Sequence, residues 1–127
     1  MRTILVVDDD ASFLQETDSM LTGAGYNVLQ AADGPRAVRL LEQLRGEIDL
    51  AIVDLSLPGV NGFELIGALS RRPNSVKIIA TSGVFGDAQL DSATTLGAHA
   101  AIRKPRGNKR LPRQRWLNTI EQLIGNP

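Results

Sequence analysis

Short apolar runs alternate along the chain with stretches in which apolar residues recur every three or four positions. Runs of four to six residues, rich in apolar side chains and bounded by turn residues, are typical of buried strands, and they lie at 4–7, 26–31, 50–53, 76–81 and 100–103. Helical spacing of apolar residues predicts helices, and it covers 13–21, 37–44, 63–69, 87–96 and 116–124. The pattern therefore predicts five strands interleaved with five helices.

Alternation of strands and helices favours parallel pairing with right-handed crossovers, because each helix must bury its apolar stripe on one face of the sheet. The predicted fold is a doubly wound α/β sandwich, a (βα)5 arrangement around a five-stranded parallel sheet. The chain has 127 residues, of which 43% are hydrophobic. This length fits one domain, which we expect to span residues 1–127.

Composition excludes several classes of function. Fourteen basic and fourteen acidic residues cancel, so no overall field draws the chain to nucleic acid or to an anionic membrane. The absence of cysteine excludes disulfides and thiolate metal sites. The N-terminus has only four consecutive apolar residues before three aspartates, which fits neither a signal peptide nor a membrane span. We expect a soluble, cytoplasmic protein.

Charged residues follow three of the predicted strands at the point where each strand ends. Asp8, Asp9 and Asp10 follow the first run, Asp54 ends the third, and Lys104 follows the fifth. If these strands are parallel neighbours, their carboxyl ends bring the side chains into one crevice, where open α/β sheets bind ligands. A carboxylate cluster beside one ammonium is the outline of a phosphoryl and metal site.

Several short motifs occur together in a fixed order and resemble one known family. They are Val6-Val7-Asp8-Asp9-Asp10, Asp54 to Gly62 (DLSLPGVNG), Ala80-Thr81-Ser82-Gly83, Gly97-Ala98-His99-Ala100 and Lys104-Pro105. The combination resembles the receiver domain of two-component response regulators, and it covers nearly the whole chain. The resemblance implies the flavodoxin-like strand order 2-1-3-4-5.

The resemblance implies that Asp54 is the phosphoacceptor. A carboxylate that attacks a phosphoryl group brings two negative charges together, so a divalent cation is needed to hold both. By resemblance, Asp9 binds the cation directly, Asp8 acts partly through water, and Asp54 and the backbone carbonyl of Ser56 complete the protein ligands. Mg²⁺ (or Mn²⁺) suits such a set, since Mg²⁺ takes a few protein oxygens and keeps several waters.

Lys104 and Ser82 are the expected partners of the transferred phosphoryl oxygens, one as a point charge and the other through its hydroxyl. By resemblance, Ser82 moves toward the phosphoryl group and repacks the face formed by the fourth helix, fifth strand and fifth helix. An unknown output protein reads that face, which could also support a homodimer. The resemblance further implies a cis Lys104–Pro105 peptide, and a histidine kinase or phosphotransfer protein as the phosphoryl donor.

One position departs from the family pattern, and it keeps alternatives open. The family usually has Tyr or Phe three residues before the lysine, whereas this chain has Ala101. The output would then be altered, weaker, or carried by another group such as Phe85, or the chain is a pseudo-receiver that binds its partner regardless of phosphorylation. A third hypothesis is a haloacid-dehalogenase-like phosphatase with Asp8 as nucleophile. As a receiver, the chain would promote only its own phosphorylation and dephosphorylation and would not be an enzyme.

The remaining conspicuous residues have structural explanations. Phe13, Phe63 and Trp116 are assigned to core packing, and Asp10 to the first turn of a helix, where its charge suits the helix dipole. The basic segment 103–115 is a solvated loop or a docking site for an acidic partner. It lacks interleaved aromatic residues, so we predict no direct nucleic-acid binding.

Overall fold

Five strands and five helices alternate along the chain in this computed structural model of the protein. The structure describes residues 1–44, 46–57, 61–71, 76–83, 87–105 and 110–127, with only the backbone at 87–89. The strands are β1 (Thr3–Val7), β2 (Asn27–Ala31), β3 (Leu50–Asp54), β4 (Lys77–Ser82) and β5 (Ala100–Arg103). The helices are α1 (Ala11–Gly23), α2 (Gly34–Gln43), α3 (Gly62–Ser70), α4 (Asp87–Leu96) and α5 (Arg113–Ile124).

All neighbouring strands run parallel, in the order β2-β1-β3-β4-β5. The predicted doubly wound sandwich and its strand order are therefore confirmed. The order reverses between β1 and β3, since the chain goes outward from β1 to β2 and then returns to β3 on the other side. Open α/β sheets bind ligands beside such a reversal, at the carboxyl ends of the strands.

Each face of the sheet carries its own apolar cluster, because successive side chains of a strand point to opposite faces. In β1, Leu5 and Val7 pack against the cluster that contains residues of α2, α3 and α4. Ile4 and Val6 pack against the cluster that contains residues of α1 and α5. Every residue of β1 and β3 is buried, as expected for central parallel strands covered on both sides.

Short polar side chains begin three of the helices. Asp10 accepts hydrogen bonds from the backbone of Ser12 and Phe13 and is the N-cap of α1, so it precedes the first turn to which the sequence assigned it, although its charge still lies at the positive end of the helix dipole. Asp33 caps α2, whose first turn contains a proline, and Asn61 caps α3. Such caps satisfy N–H groups that have no partner within the helix. Within the described ranges, no helix has both the length and the apolar character to cross a membrane.

Candidate functional site

The pairing of β1 with β3 brings two predicted site residues together. Val7 lies opposite Val53 in this parallel pair; Asp8 directly follows β1, and Asp54 is the last residue of β3. Backbone hydrogen bonds fix one oxygen of each carboxylate: Asp8 Oδ1 accepts from the Asp10 N–H at 2.9 Å, and Asp54 Oδ1 accepts from the Ser56 N–H at 3.1 Å. The second oxygen of each side chain is therefore left for other partners.

Lys104 pairs with both of these second oxygens. Its Nζ lies 2.5 Å from Asp8 Oδ2 and 3.4 Å from Asp54 Oδ2. The Lys104 side chain is only 13% exposed, and those of Asp8 and Asp54 are 0% and 5% exposed. Charges this far removed from water interact more strongly than surface ion pairs, but each also loses hydration. The ammonium and the two carboxylates must therefore be treated as one unit.

The balance of burial and charge shifts the pKa of two members of this unit. Burial, with a smaller contribution from the Asp54 charge, raises the pKa of Asp8 to about 6, and the hydrogen bonds from Lys104 and Asp10 only partly oppose it. Burial alone would lower the pKa of Lys104, but its hydrogen bond and charge interaction with Asp8, together with Asp54, raise it above the ordinary value. Lys104 therefore stays charged at neutral pH. Asp8 is the carboxylate whose ionised form is disfavoured by burial.

Asp9 completes a set of carboxylates whose geometry suits a divalent cation. One carboxylate oxygen from each of Asp8, Asp9 and Asp54 lies within 4.8 Å of the other two. Asp8 and Asp54 are buried and Asp9 is exposed, so the set has an open side. All-oxygen donors on an open site are the ligands that Mg²⁺ prefers.

The two serines of the predicted site lie beside these charges. Ser82 ends β4 and is fully buried, and its carbonyl accepts a hydrogen bond from the Lys104 N–H at 3.1 Å. Asp54 lies opposite Thr81 in the pairing of β3 with β4, so Ser82 follows directly on the neighbouring strand. Ser56 is held next to Asp54 by the hydrogen bond described above. The structure therefore brings all the predicted site residues to the same end of the sheet.

Phe13 also reaches this site, which the sequence did not predict. Its ring centroid lies 4.6 Å from Lys104 Nζ, and the ring packs edge-to-face against Trp116 of α5 with centroids 6.1 Å apart. Phe13 and Trp116 are both buried, which agrees with their assignment to core packing. Phe63 is half-buried and packs against the other core cluster. Phe13 thus has a second contact, with the Lys104 ammonium, beyond its place in the core.

Two further expectations have different outcomes. The Lys104–Pro105 peptide is trans, so the cis geometry implied by the resemblance is wrong. Phe85, the candidate substitute for an aromatic at position 101, lies outside the described residues, as do Arg106 and Lys109 of the basic segment. Ala101 is half-buried and packs against the apolar cluster on the α3 and α4 side of the sheet.

Comparison with known proteins identifies the family. The model of the response regulator receiver domain matches residues 4–114. The chain belongs to this family. One curated relative, the DNA-binding response regulator MtrA of Mycolicibacterium paratuberculosis, is 34% identical over 102 residues, which are 80% of this chain and 44% of that protein.

Solved receiver structures have the same fold. The Vibrio cholerae chemotaxis protein CheY4 matches with a TM-score of 0.83 and 26% identity, over 98% of this chain and 99% of that one. A chain of the CheX-CheY-BeF3-Mg²⁺ complex from Borrelia burgdorferi matches with a TM-score of 0.84 and 23% identity, over 95% and 87% of the two chains. The chain spans less than half the length of the curated relatives it matches first.

Proposed function

We propose that this receiver domain accepts a phosphoryl group on Asp54 and that the modification changes its affinity for a partner. The observation that carries the proposal is the convergence of Asp54 with Lys104 and with the carboxylates of Asp8 and Asp9. Isolated aspartates at strand ends are common. An aspartate whose oxygen lies near an ammonium and two further carboxylates is suited to phosphoryl transfer, which depends on positioning and on neutralising charge.

In the proposed reaction, one carboxylate oxygen of Asp54 attacks the phosphorus of a phosphohistidine or of a small acyl phosphate. The new bond is Asp54 O–P, and the bond that breaks joins phosphorus to the donor's imidazole nitrogen or acyl oxygen. The donor leaves with that electron pair, and a leaving imidazole recovers a proton from solvent. Lys104 can leave Asp8 and pair with a phosphoryl oxygen, and Ser82 can donate its hydroxyl hydrogen to another.

We infer that Asp8, Asp9, Asp54 and the Ser56 carbonyl hold Mg²⁺, with Mn²⁺ as a substitute of similar ligand preference. When bound, the cation would neutralise charge between the carboxylates and the incoming phosphoryl group. The solved CheX-CheY complex from Borrelia burgdorferi contains BeF3 and Mg²⁺, which supports this inference. The oxygen geometry of Asp8, Asp9 and Asp54 supports it independently.

Histidine kinases or phosphotransfer proteins are the proposed donors. A 29% identical relative is the sensor kinase CckA of Brucella abortus, of which this chain matches 12%. The proposed output surface is the face of α4, β5 and α5, where an output protein or a second copy of the chain would bind. No direct contact with nucleic acid is proposed for residues 1–127, which we treat as a single receiver domain.

The mass of the intact protein after incubation with acetyl phosphate and Mg²⁺ tests the central claim. We expect the wild-type protein to gain one phosphoryl group and Asp54→Asn to gain none. Asp91→Asn, which changes an exposed carboxylate on α4, is the matched control and should behave like the wild type. Equal labelling of the wild type and Asp54→Asn would refute the assignment of Asp54.

Similar experiments distinguish the receiver from the two alternative functions, a phosphatase and a pseudo-receiver. A phosphatase that uses Asp8 would bind the phosphate mimic beryllofluoride in Asp54→Asn and lose it in Asp8→Asn. Family membership and the complete burial of Asp8 favour the receiver instead. A pseudo-receiver would bind its partner equally with and without acetyl phosphate and Mg²⁺, so a phosphorylation-dependent affinity would argue against it.

A further inference from the structure

A row of three side chains leads from the carboxylates of the site to α5. The Lys104 ammonium lies over the Phe13 ring, and the Phe13 ring packs edge-to-face on the indole of Trp116. Trp116 is fully buried, and Phe13 is nearly so. The row is contiguous, because each of its members contacts the next.

We propose that Phe13 is a positioning residue for Lys104 and that, through Trp116, it makes α5 respond to the location of the Lys104 ammonium. The inference rests on the proposed function, since it concerns the lysine that would meet the phosphoryl group. The proposal gives Phe13 of α1 a role in the site. It also defines a route, through Trp116, from the site to α5.

The aromatic face gives the ammonium a third partner besides the two carboxylates. A lysine side chain has a flexible stem of four carbons, so its ammonium can occupy many positions. The quadrupole of an aromatic ring attracts a cation lying over its face, and the attraction is larger when the cation is shielded from water. Because the Lys104 side chain is only 13% exposed, the Phe13 ring should narrow the range of ammonium positions. A leucine would fill the space without this attraction.

Hydrogen bonds hold the backbone of α1 near Phe13, so we expect side chains to take up a change in the position of Lys104. The Phe13 N–H donates to the capping carboxylate of Asp10 at 3.3 Å. One turn further along α1, Glu16 Oε1 accepts a hydrogen bond from the Leu111 N–H at 2.7 Å, just before α5 begins. These contacts hold α1 against the start of α5. Movement of the ammonium would therefore be transmitted to the rings.

Trp116 is suited to receive such a change. Its Nε1 has no hydrogen-bond partner among the described residues, so the contacts that they make with the indole are packing contacts. The contact with Phe13 is part of that packing, and an edge-to-face pair depends on the orientation of both rings. A different orientation of Phe13 should therefore alter the surroundings of Trp116 and the packing of α5.

The fluorescence of Trp116 provides a direct test, because it is the only tryptophan of the chain. Emission and phosphoryl gain are measured together, with acetyl phosphate and Mg²⁺, for the wild type, Phe13→Leu and Phe13→Tyr. Leu14→Met, a neighbouring buried position of α1, is the packing control. Circular dichroism verifies that each variant is folded.

We expect phosphorylation of the wild type to change the Trp116 emission. Phe13→Leu should lower the phosphorylation rate by about fivefold, the order expected for one lost cation–π contact, and should remove most of the emission change. Phe13→Tyr keeps an aromatic face and should restore both, while Leu14→Met should match the wild type.

Four results would overturn the inference, and three of them would leave the proposed function intact. Phosphorylation of the wild type without an emission change would refute it and leave the proposed function intact. A Phe13→Leu protein with the wild-type rate and emission change would do the same. So would a Phe13→Tyr protein that behaves like Phe13→Leu. In either case Phe13 would be only a packing residue. Failure of the wild type to gain a phosphoryl group would refute the proposed function and this inference with it.

Discussion

Replacing Asp8 with asparagine measures the cost of keeping an ionised carboxylate in the site. Asp8 is fully buried, and burial raises its pKa from 3.8 to about 6 despite the nearby ammonium of Lys104. The ionised side chain is therefore less stable in the folded protein than in the unfolded chain. Asparagine has nearly the same shape as a protonated aspartate and carries no charge at any pH.

The magnitude follows from the size of the shift. A rise of about two pKa units corresponds to about 3 kcal/mol, at about 1.4 kcal/mol for each unit. Because the folded-state pKa is the higher one, this contribution to stability is fully present below pH 3.8 and is lost as the pH rises through about 6. We therefore expect Asp8→Asn to be more stable than the wild type by up to about 3 kcal/mol at neutral pH.

Urea unfolding of both proteins, at about pH 7.5 and at about pH 4, checks this prediction. The difference in unfolding free energy should be large at the higher pH and should nearly vanish at the lower one. Asp91→Asn is the control for a general effect of removing a charge, and it should show no such dependence. A difference of the same size at both pH values, or an Asp8→Asn protein less stable than the wild type at neutral pH, would refute the reasoning.

Added Mg²⁺ gives the same experiment a second arm. A ligand that binds only the folded state stabilises it according to its concentration and affinity. Wild-type protein should therefore gain stability as Mg²⁺ is added at neutral pH, and Asp8→Asn should gain less because it has lost a proposed ligand. Equal gains in the two proteins would indicate that Asp8 does not hold the cation.

Two further substitutions test how the site is supported. Gly62→Ala should destabilise the fold by about 1–3 kcal/mol and slow the labelling of Asp54, because a methyl group there would overlap the Asp54 carbonyl. Gly67→Ala in the same helix has room for its methyl and should be neutral or stabilising in urea unfolding. Equal effects of the two substitutions on the unfolding free energy would contradict the steric argument. Glu16→Ala should cost about 1 kcal/mol by removing the hydrogen bond to Leu111, whereas Gln15→Ala should cost little.

The elements and the carboxylate cluster could be predicted because short-range patterns determine them. Asp8 and Asp54 each end an apolar run, and parallel pairing necessarily brings such ends to one edge of the sheet. The observed register, with Val7 opposite Val53, agrees with that prediction. Lys104 could be placed by the same argument, since it follows β5.

The contacts of Lys104 could not be predicted, because they depend on side-chain torsions and on the tilt of helices. Nothing in the sequence indicates that the ammonium lies closer to Asp8 than to Asp54. Phe13 belongs to the helical stripe of α1, and that periodicity shows only that it faces the core. Its approach to the ammonium depends on where α1 crosses the sheet. That position is set by packing contacts between residues far apart in the chain.

The route through Phe13 changes the significance of Ala101. The Ala101 side chain packs on the α3 and α4 side of the sheet, whereas Phe13 and Trp116 belong to the cluster on the opposite side. If Phe13 and Trp116 transmit the change as proposed, an aromatic residue at position 101 is not needed for the site to affect α5. Spatial continuity alone does not establish coupling, so a change at one end must be measured at the other. If the alanine at position 101 had removed all switching, the emission of Trp116 would not respond to phosphorylation of Asp54. If Phe13 and Trp116 transmit the change, the emission responds in the wild type and loses that response in Phe13→Leu.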